Sequence, residues 1–209
     1  MHHFAEPLPE THLPLYQAQK AARISRVGDF LESTVIPAIE VHNAKGIYLE
    51  IGSGHGHWLT SFALQYPNQV FLGIDLNNKR IKKAESKKER HALKNLFFLK
   101  AEASEFLVSI SRKLSILSTY IMFPDPWPKK RHHKNRLIQN NFLESLASAS
   151  SKDAKLFFRT DHEEYFDWAQ SILNASPHWQ LEHPHWPHES CSFFQDLFET
   201  AHTFCATRS

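Results

Sequence analysis

Residues 48–56, Tyr48-Leu49-Glu50-Ile51-Gly52-Ser53-Gly54-His55-Gly56, read as a buried strand running into a turn where the backbone must come close to a ligand. Only glycine permits that approach together with positive φ. Their spacing narrows the choice. A dinucleotide-binding turn sets its third glycine three positions after its second, where the next helix packs on the strand; here Gly56 stands two after Gly54, giving GxGxG. A tight turn with a purely structural purpose is the competing reading of these glycines taken alone.

Outward from the turn, short apolar runs alternate with longer amphipathic stretches, the rhythm of βαβ units. The pattern predicts strands at 46–51, 70–75, 96–100, 117–123 and 155–160. Between and after them it predicts a helix carrying Trp58, Phe62 and Leu64, which ends at Tyr66-Pro67, and helices at 78–91, 104–111, 136–149 and 163–175. Two further strand candidates, 179–183 and 203–207, lie in the tail around a long loop rich in Pro, His and Ser. Strands each followed by a helix require right-handed crossovers, hence a doubly wound parallel sheet covered on both faces. Ligands then sit at the carboxyl ends of the strands, so the residues ending each strand should converge on one pocket.

Upstream, Pro7, Pro9 and Pro14 predict an extended start, and residues 17–39 predict one or two helices interrupted near Gly28. With 209 residues the chain is long enough for one α/β domain and too short for two, so residues 1–45 read as a partly helical extension and 46–209 as the main domain.

Three acids fall at strand ends. Asp75, ending the second strand, is placed to accept hydrogen bonds from both ribose hydroxyls of a nucleoside. Glu50, just before the glycine turn, separates two kinds of nucleoside: a pyrophosphate favours a helix start free of acids, whereas S-adenosylmethionine offers a cationic sulfonium and an amine that a carboxylate suits. Glu102, after the third strand, can accept from the exocyclic amine of adenine between Ala101 and Ala103; as a helix-start acid it has an equally ordinary structural explanation.

The fourth strand runs into Phe123-Pro124-Asp125-Pro126-Trp127-Pro128-Lys129-Lys130-Arg131-His132-His133-Lys134. Prolines on either side fix the backbone around Asp125 at the mouth of the pocket. Trp127 offers a flat face for a base, and the acid-free cations of 129–136 can grip phosphates. The alternative, in which Trp127 caps the core and Asp125 caps a turn, leaves that basic run unexplained. A second basic block, 79–94, carries eight Lys and Arg residues against Glu85 and Glu89, although the formal net charge of the whole chain is only +2.

Residues 123–134 resemble a signature of the bacterial tRNA (guanine-N7)-methyltransferase family. Thr160-Asp161-His162-Glu163-Glu164-Tyr165, with Trp168 beyond it, resembles that family's second signature, and GxGxG agrees with class I methyltransferases. The likeness runs over about residues 47–168, with a weaker match at 192–198. It implies a Rossmann-like fold: a doubly wound, mostly parallel seven-stranded sheet with helices on both faces and the last strand antiparallel. It also implies that Glu50, Gly52, Gly54, Asp75, Glu102 and Asp125 contact S-adenosylmethionine, and that Asp125 is catalytic. Lys129 and Asp161 would touch the RNA, as would a tail segment matching Ser192, Phe193, Phe194 and Gln195. Two departures stand out. Glu102 replaces the usual aspartate, and Gln195 replaces a carboxylate that Glu199 supplies in another register.

Composition sets the remaining expectations. No apolar run is long enough to cross a bilayer and none looks like a signal peptide, so a soluble cytoplasmic protein without a membrane partner is expected. Cys191 and Cys205 are expected as free thiols. The histidines of 183–188 have no companion Cys pair at zinc spacing, so no metal is expected. Nothing in the sequence fixes an oligomeric state. Rival readings are a methyltransferase acting on another RNA or a small molecule, a noncatalytic RNA-binding protein on the same fold, and an NAD-dependent oxidoreductase, which the glycine spacing disfavours.

Overall fold

A computed structural model describes residues 13–183, 185–188 and 201–209. The expected strands all form: β1 (Ile47–Ile51), β2 (Val70–Asp75), β3 (Leu96–Lys100), β4 (Ile116–Met122), β5 (Ser150–Thr160), β6 (Trp179–Glu182) and β7 (His202–Arg208). They build one sheet in the order β3-β2-β1-β4-β5-β7-β6. The strands β1 to β5 run parallel, while β7 is antiparallel to both β5 and β6, so the last strand is reversed as expected. Because the chain winds outward from β1 in one direction and from β4 in the other, the crevice of a doubly wound sheet falls between the carboxyl ends of β1 and β4.

The alternation of side chains along each strand divides the core in two. One face buries Leu49, Leu72, Ile74, Ile121, Leu156 and Phe158. Against it pack α1 (Leu13–Phe30), α2 (Ile36–Val41), α5 (Ala103–Ser109), α6 (Asn140–Ala149) and α7 (Glu163–Asn174), which contribute Val27, Phe106, Leu143 and Ala169 among others. The other face buries Phe71, Tyr120, Phe157 and Cys205 beneath α3 (His57–Gln65) and α4 (Asn78–Arg90). Cys205 there is a free thiol that burial pushes up to about 11.

Four local expectations are corrected. The N-terminal helix passes through Gly28 without a break, and Pro14 sits in its first turn, where a missing N–H costs nothing. The irregularity comes instead as a π-type turn, Leu31–Val35, just ahead of Pro37, whose ring nitrogen cannot donate back along the helix. Residues 136–139, expected as helix, are not: a 3₁₀ helix, Lys130–Asn135, precedes Arg136, and α6 begins only at Asn140. Finally β5 starts at Ser150, five residues early, with a register shift against β4 and Asp153 at φ 61°.

Two described residues of the tail, Trp186 and His188, close part of the second face. Trp186 stands edge-on to Phe157 and Tyr120. His188 stacks on Phe62 at 4.9 Å, is held by Ser61 and Gln65, and its carbonyl accepts from the Trp58 indole at 3.0 Å. This histidine is thus a buried, hydrogen-bonded core group. Among the described residues no helix is long and apolar enough to cross a membrane.

Candidate active site

The glycine turn is held by three separate devices. The amides of Gly52 and Ser53 donate to the Ile74 carbonyl at 2.8 and 3.0 Å, and Gly54 N–H donates to the Asp75 carboxylate at 3.0 Å. All three glycines have positive φ, 81°, 55° and 68° in order. Their surroundings differ. A Cβ on Gly52 would meet nothing within 4 Å, so the turn is open there, whereas one on Gly56 would lie 2.5 Å from Phe98 and 2.8 Å from Ala84. Gly52 and Gly54 therefore shape the turn facing a ligand, and Gly56 seats α3 against α4 and β3.

Asp75 is 6% exposed; its other oxygen accepts from Asn77 N–H at 2.7 Å, and the oxygen that holds Gly54 lies 3.6 Å from Arg80. It also braces the glycine turn, beyond the ribose contact expected of it. Carboxylate oxygens carry further lone pairs, so ribose hydroxyls still have acceptors there. Glu50 lies on neighbouring β1, 4% exposed, and its Oε2 finds no hydrogen bond among the described residues. Burial, reinforced by the charge of Asp75, pushes the Glu50 carboxyl up to about 8. An orphaned buried carboxyl is unfavourable unless a donor or a cation meets it, and the sulfonium and amine of S-adenosylmethionine fit that requirement.

Glu102 is half-buried and caps α5, accepting from Glu105 N–H at 3.0 Å and from the Ser104 hydroxyl through the same Oε2. The capping explanation thus describes what this oxygen does, while Oε1 takes no hydrogen bond among the described residues.

Asp125 stands on the loop after β4, exposed, its carboxylate without a hydrogen bond among the described residues. The loop is strained on both sides, with Phe123 at φ 50° and Trp127 at φ 45°. Such conformations persist only where surroundings impose them. One clamp is Phe123 N–H donating to Arg159 O on β5 at 2.7 Å. The other is Arg136. Its side chain is fully buried, Nε donates to the Pro126 carbonyl at 2.8 Å, Nη2 reaches Glu164 at 3.3 Å, and the guanidinium lies over the rings of Tyr165 and Trp168 at 5.0 and 5.4 Å. Tyr165 in turn accepts from Leu137 and Ile138 N–H through its hydroxyl, and Trp168 donates to Ile138 O.

The two segments noted in the sequence are thus one wall. Arg136, Tyr165 and Trp168 are its struts, and reading the arginine as part of a phosphate-gripping run missed this. Of that run, Lys129, Lys130, Arg131 and Lys134 are exposed, whereas His132 is buried with Arg136. Asp161 is exposed just past the end of β5, beside His162, which caps α7 through Nδ1. Ser192, Phe193, Phe194, Gln195 and Glu199 lie outside the described residues, as does Cys191.

The family model described as "Putative methyltransferase" matches residues 44–197, which spans β1, the glycine turn and both segments of this wall. The chain belongs to this methyltransferase family. Among its relatives, a protein of Lachnoclostridium phytofermentans named tRNA (guanine-N(7)-)-methyltransferase is 36% identical over 139 residues, 66% of this chain and 64% of that one. A protein of the same name from Corynebacterium diphtheriae is 32% identical over 148 residues, 71% and 56% of the two chains. The alignments span less than two thirds of these relatives' length. TrmN from Thermus thermophilus superposes with a TM-score of 0.57 at 15% identity over 83% of this chain and 47% of its own, a likeness of fold.

Elsewhere in the chain, Glu182, His185 and Cys205 bring ligand-type atoms within 4.8 Å of one another. Lys155 already holds Glu182 at 2.7 Å, which makes that corner an ion pair at the sheet edge.

Proposed function

We propose that this methyltransferase transfers the methyl group of S-adenosylmethionine to N7 of a guanine in tRNA, the variable-loop guanine at nucleotide 46 of the usual count, giving 7-methylguanosine. Residues 46–209 act as the catalytic domain, with 1–45 as its extension, in the cytoplasm and without a metal. The observation that carries the reading is the wall fastened through Arg136. It sets Asp125 at the end of β4, on the strand next to the one bearing the orphaned Glu50, and its two segments are those that resemble the tRNA-modifying family. The shared name of the relatives supports the substrate.

Bound S-adenosylmethionine supplies an electrophilic methyl group on a cationic sulfur. Glu50 meets its positive end, Asp75 and the open turn at Gly52 and Gly54 take the ribose side, and Glu102 offers its remaining oxygen to the adenine amine. Guanine N7 has a lone pair and no proton, so no residue need act as a base, and alignment is the larger part of the work. As positive charge moves to the purine ring, the Asp125 carboxylate stabilises it more than the neutral base, which is differential binding of the transition state. Asp161 accepts from the Watson–Crick edge of the guanine, and Trp127, Lys129 and the tail segment 192–195 hold the nucleotide around it. Phosphate contacts give affinity, and the shape of folded tRNA selects the guanine.

Replacing Asp125 with Asn keeps the shape and removes the charge. Single-turnover methyl transfer is expected to slow by about 100-fold or more, with tRNA affinity within about threefold of the parent. Equal losses in rate and affinity would make Asp125 a binding residue.

A further inference from the structure

An unbalanced positive charge outside this cleft lies in an outward-facing hollow of about 310 Å³ between the glycine turn and α4, walled by His55, His57, Lys82, Lys83, Lys87 and Arg90. On α4 these residues recur at helical spacing along one stripe. Neither acid of α4, Glu85 or Glu89, is among the residues that wall the hollow. Glu85 turns to β3, accepting from Phe98 N–H at 3.0 Å and pairing with Lys88, while Arg80 is engaged by Asp75. Among the described residues no acid lines the hollow, and none of its six basic groups makes an ion pair.

Like charges three and four positions apart on a helix repel, so this stripe is unfavourable as it stands. Three of the hollow's members are held below their ordinary ranges, by burial first and by neighbouring like charges after it. Burial first, then Lys83, Arg80 and Lys87 against a small opposing effect of Asp75, holds His55 below its ordinary range. Burial, then Lys87, His55 and Arg90, does the same to His57, and burial with Arg90 lowers Lys87. A concave positive field of this kind concentrates multiply charged anions. The first turn of α3, which starts at His57, adds the positive end of a helix dipole.

We propose that this hollow is a binding site for adjacent phosphate groups, filled by the backbone of the RNA substrate. The RNA source rests on the functional reading above; the phosphate chemistry does not, and a free polyphosphate would meet the same residues. Phosphates raise the proton affinity of His55 and His57, so occupancy takes up protons and tightens as pH falls.

The test uses the full chain with Lys83→Ala and Lys87→Ala combined, against a control with Lys45→Ala and Lys152→Ala, exposed cations at the opposite ends of the strands. Unmodified tRNA transcript is titrated by fluorescence anisotropy over a range of salt, and inorganic tripolyphosphate by calorimetry. Unfolding temperature and S-adenosylmethionine affinity report on folding. We expect the first pair to lose about tenfold in tRNA affinity with a log–log salt slope shallower by about one to two, the control pair to lose no more than about twofold, and tripolyphosphate to compete. A folded Lys83/Lys87 variant that loses only tripolyphosphate assigns the site to free polyphosphate. If it keeps both ligands, or the two pairs lose tRNA equally, the site is overturned. Methyl transfer by the unaltered protein is read alongside, so that inactivity on tRNA with tripolyphosphate still bound by Lys83 and Lys87 would sink the functional reading while leaving the hollow standing.

Discussion

Glu50 holds a carboxyl group with an unpartnered oxygen inside the sheet, and its chemistry makes a prediction that needs no knowledge of the substrate. Its folded titration point, about 8, lies above the ordinary 4.5, so across that window the folded protein keeps a proton that the unfolded chain has lost. This contribution to stability is therefore fully present below about 4.5 and is lost as pH rises through about 8. Glu50→Gln keeps the shape and removes the titration, so thermal unfolding of the variant should lack that part of the decline. A cationic ligand favours the ionised form. Binding S-adenosylmethionine should therefore expel the proton, and its affinity should climb toward pH 8; calorimetry in buffers of different ionisation enthalpy reads the proton directly. Affinity that ignores pH, with no proton released, would take Glu50 out of cofactor contact. The place of this acid before the turn was legible from sequence. That Asp75 holds the turn by accepting from Gly54 and Asn77 was not, because backbone donors have no residue code and become visible only once the turn is built.

At the scale of elements, the loop after β4 and the start of α7 act as a unit because Arg136 is bonded to both. Arg136→Ala removes a buried guanidinium, its bond to Pro126 and its contacts with two rings, and should cost about 2–4 kcal/mol in urea unfolding. Turnover on tRNA should fall as well, although the arginine side chain is fully buried. Arg136→Lys, which keeps the charge but not the planar fork, should recover stability better than rate. A Lys variant that restored both equally would leave Arg136 a merely structural group. Strands such as 70–75 and 96–100 were legible to the residue because each is an apolar run bounded by turn residues. The start of β5 was hidden, since Ser150-Ser151-Lys152-Asp153 carries no apolar alternation and is drawn into the sheet by pairing with Ile116. Residues 136–139 misled for the opposite reason: a helix-compatible composition is overruled by the bonds of Arg136, Leu137 and Ile138 to Pro126 and Tyr165.

Across the whole molecule, the reversal of strand order between β1 and β4 explains why a turn near residue 52 and a loop near residue 125 belong to one crevice. That much followed from counting strands and helices, since parallel neighbours joined by helices leave few topologies. The closing of the second face by Trp186 and His188 did not follow, because a Pro- and His-rich stretch shows no periodicity and its partners, Trp58 and Phe62, lie more than a hundred residues away. The central claim concerns what leaves the crevice. Incubating the protein with labelled S-adenosylmethionine and unmodified tRNA, digesting the RNA to nucleosides and identifying the labelled one by mass spectrometry tests it most directly. The account predicts 7-methylguanosine from the variable loop; label on any other atom, or none while S-adenosylmethionine binds, would contradict it.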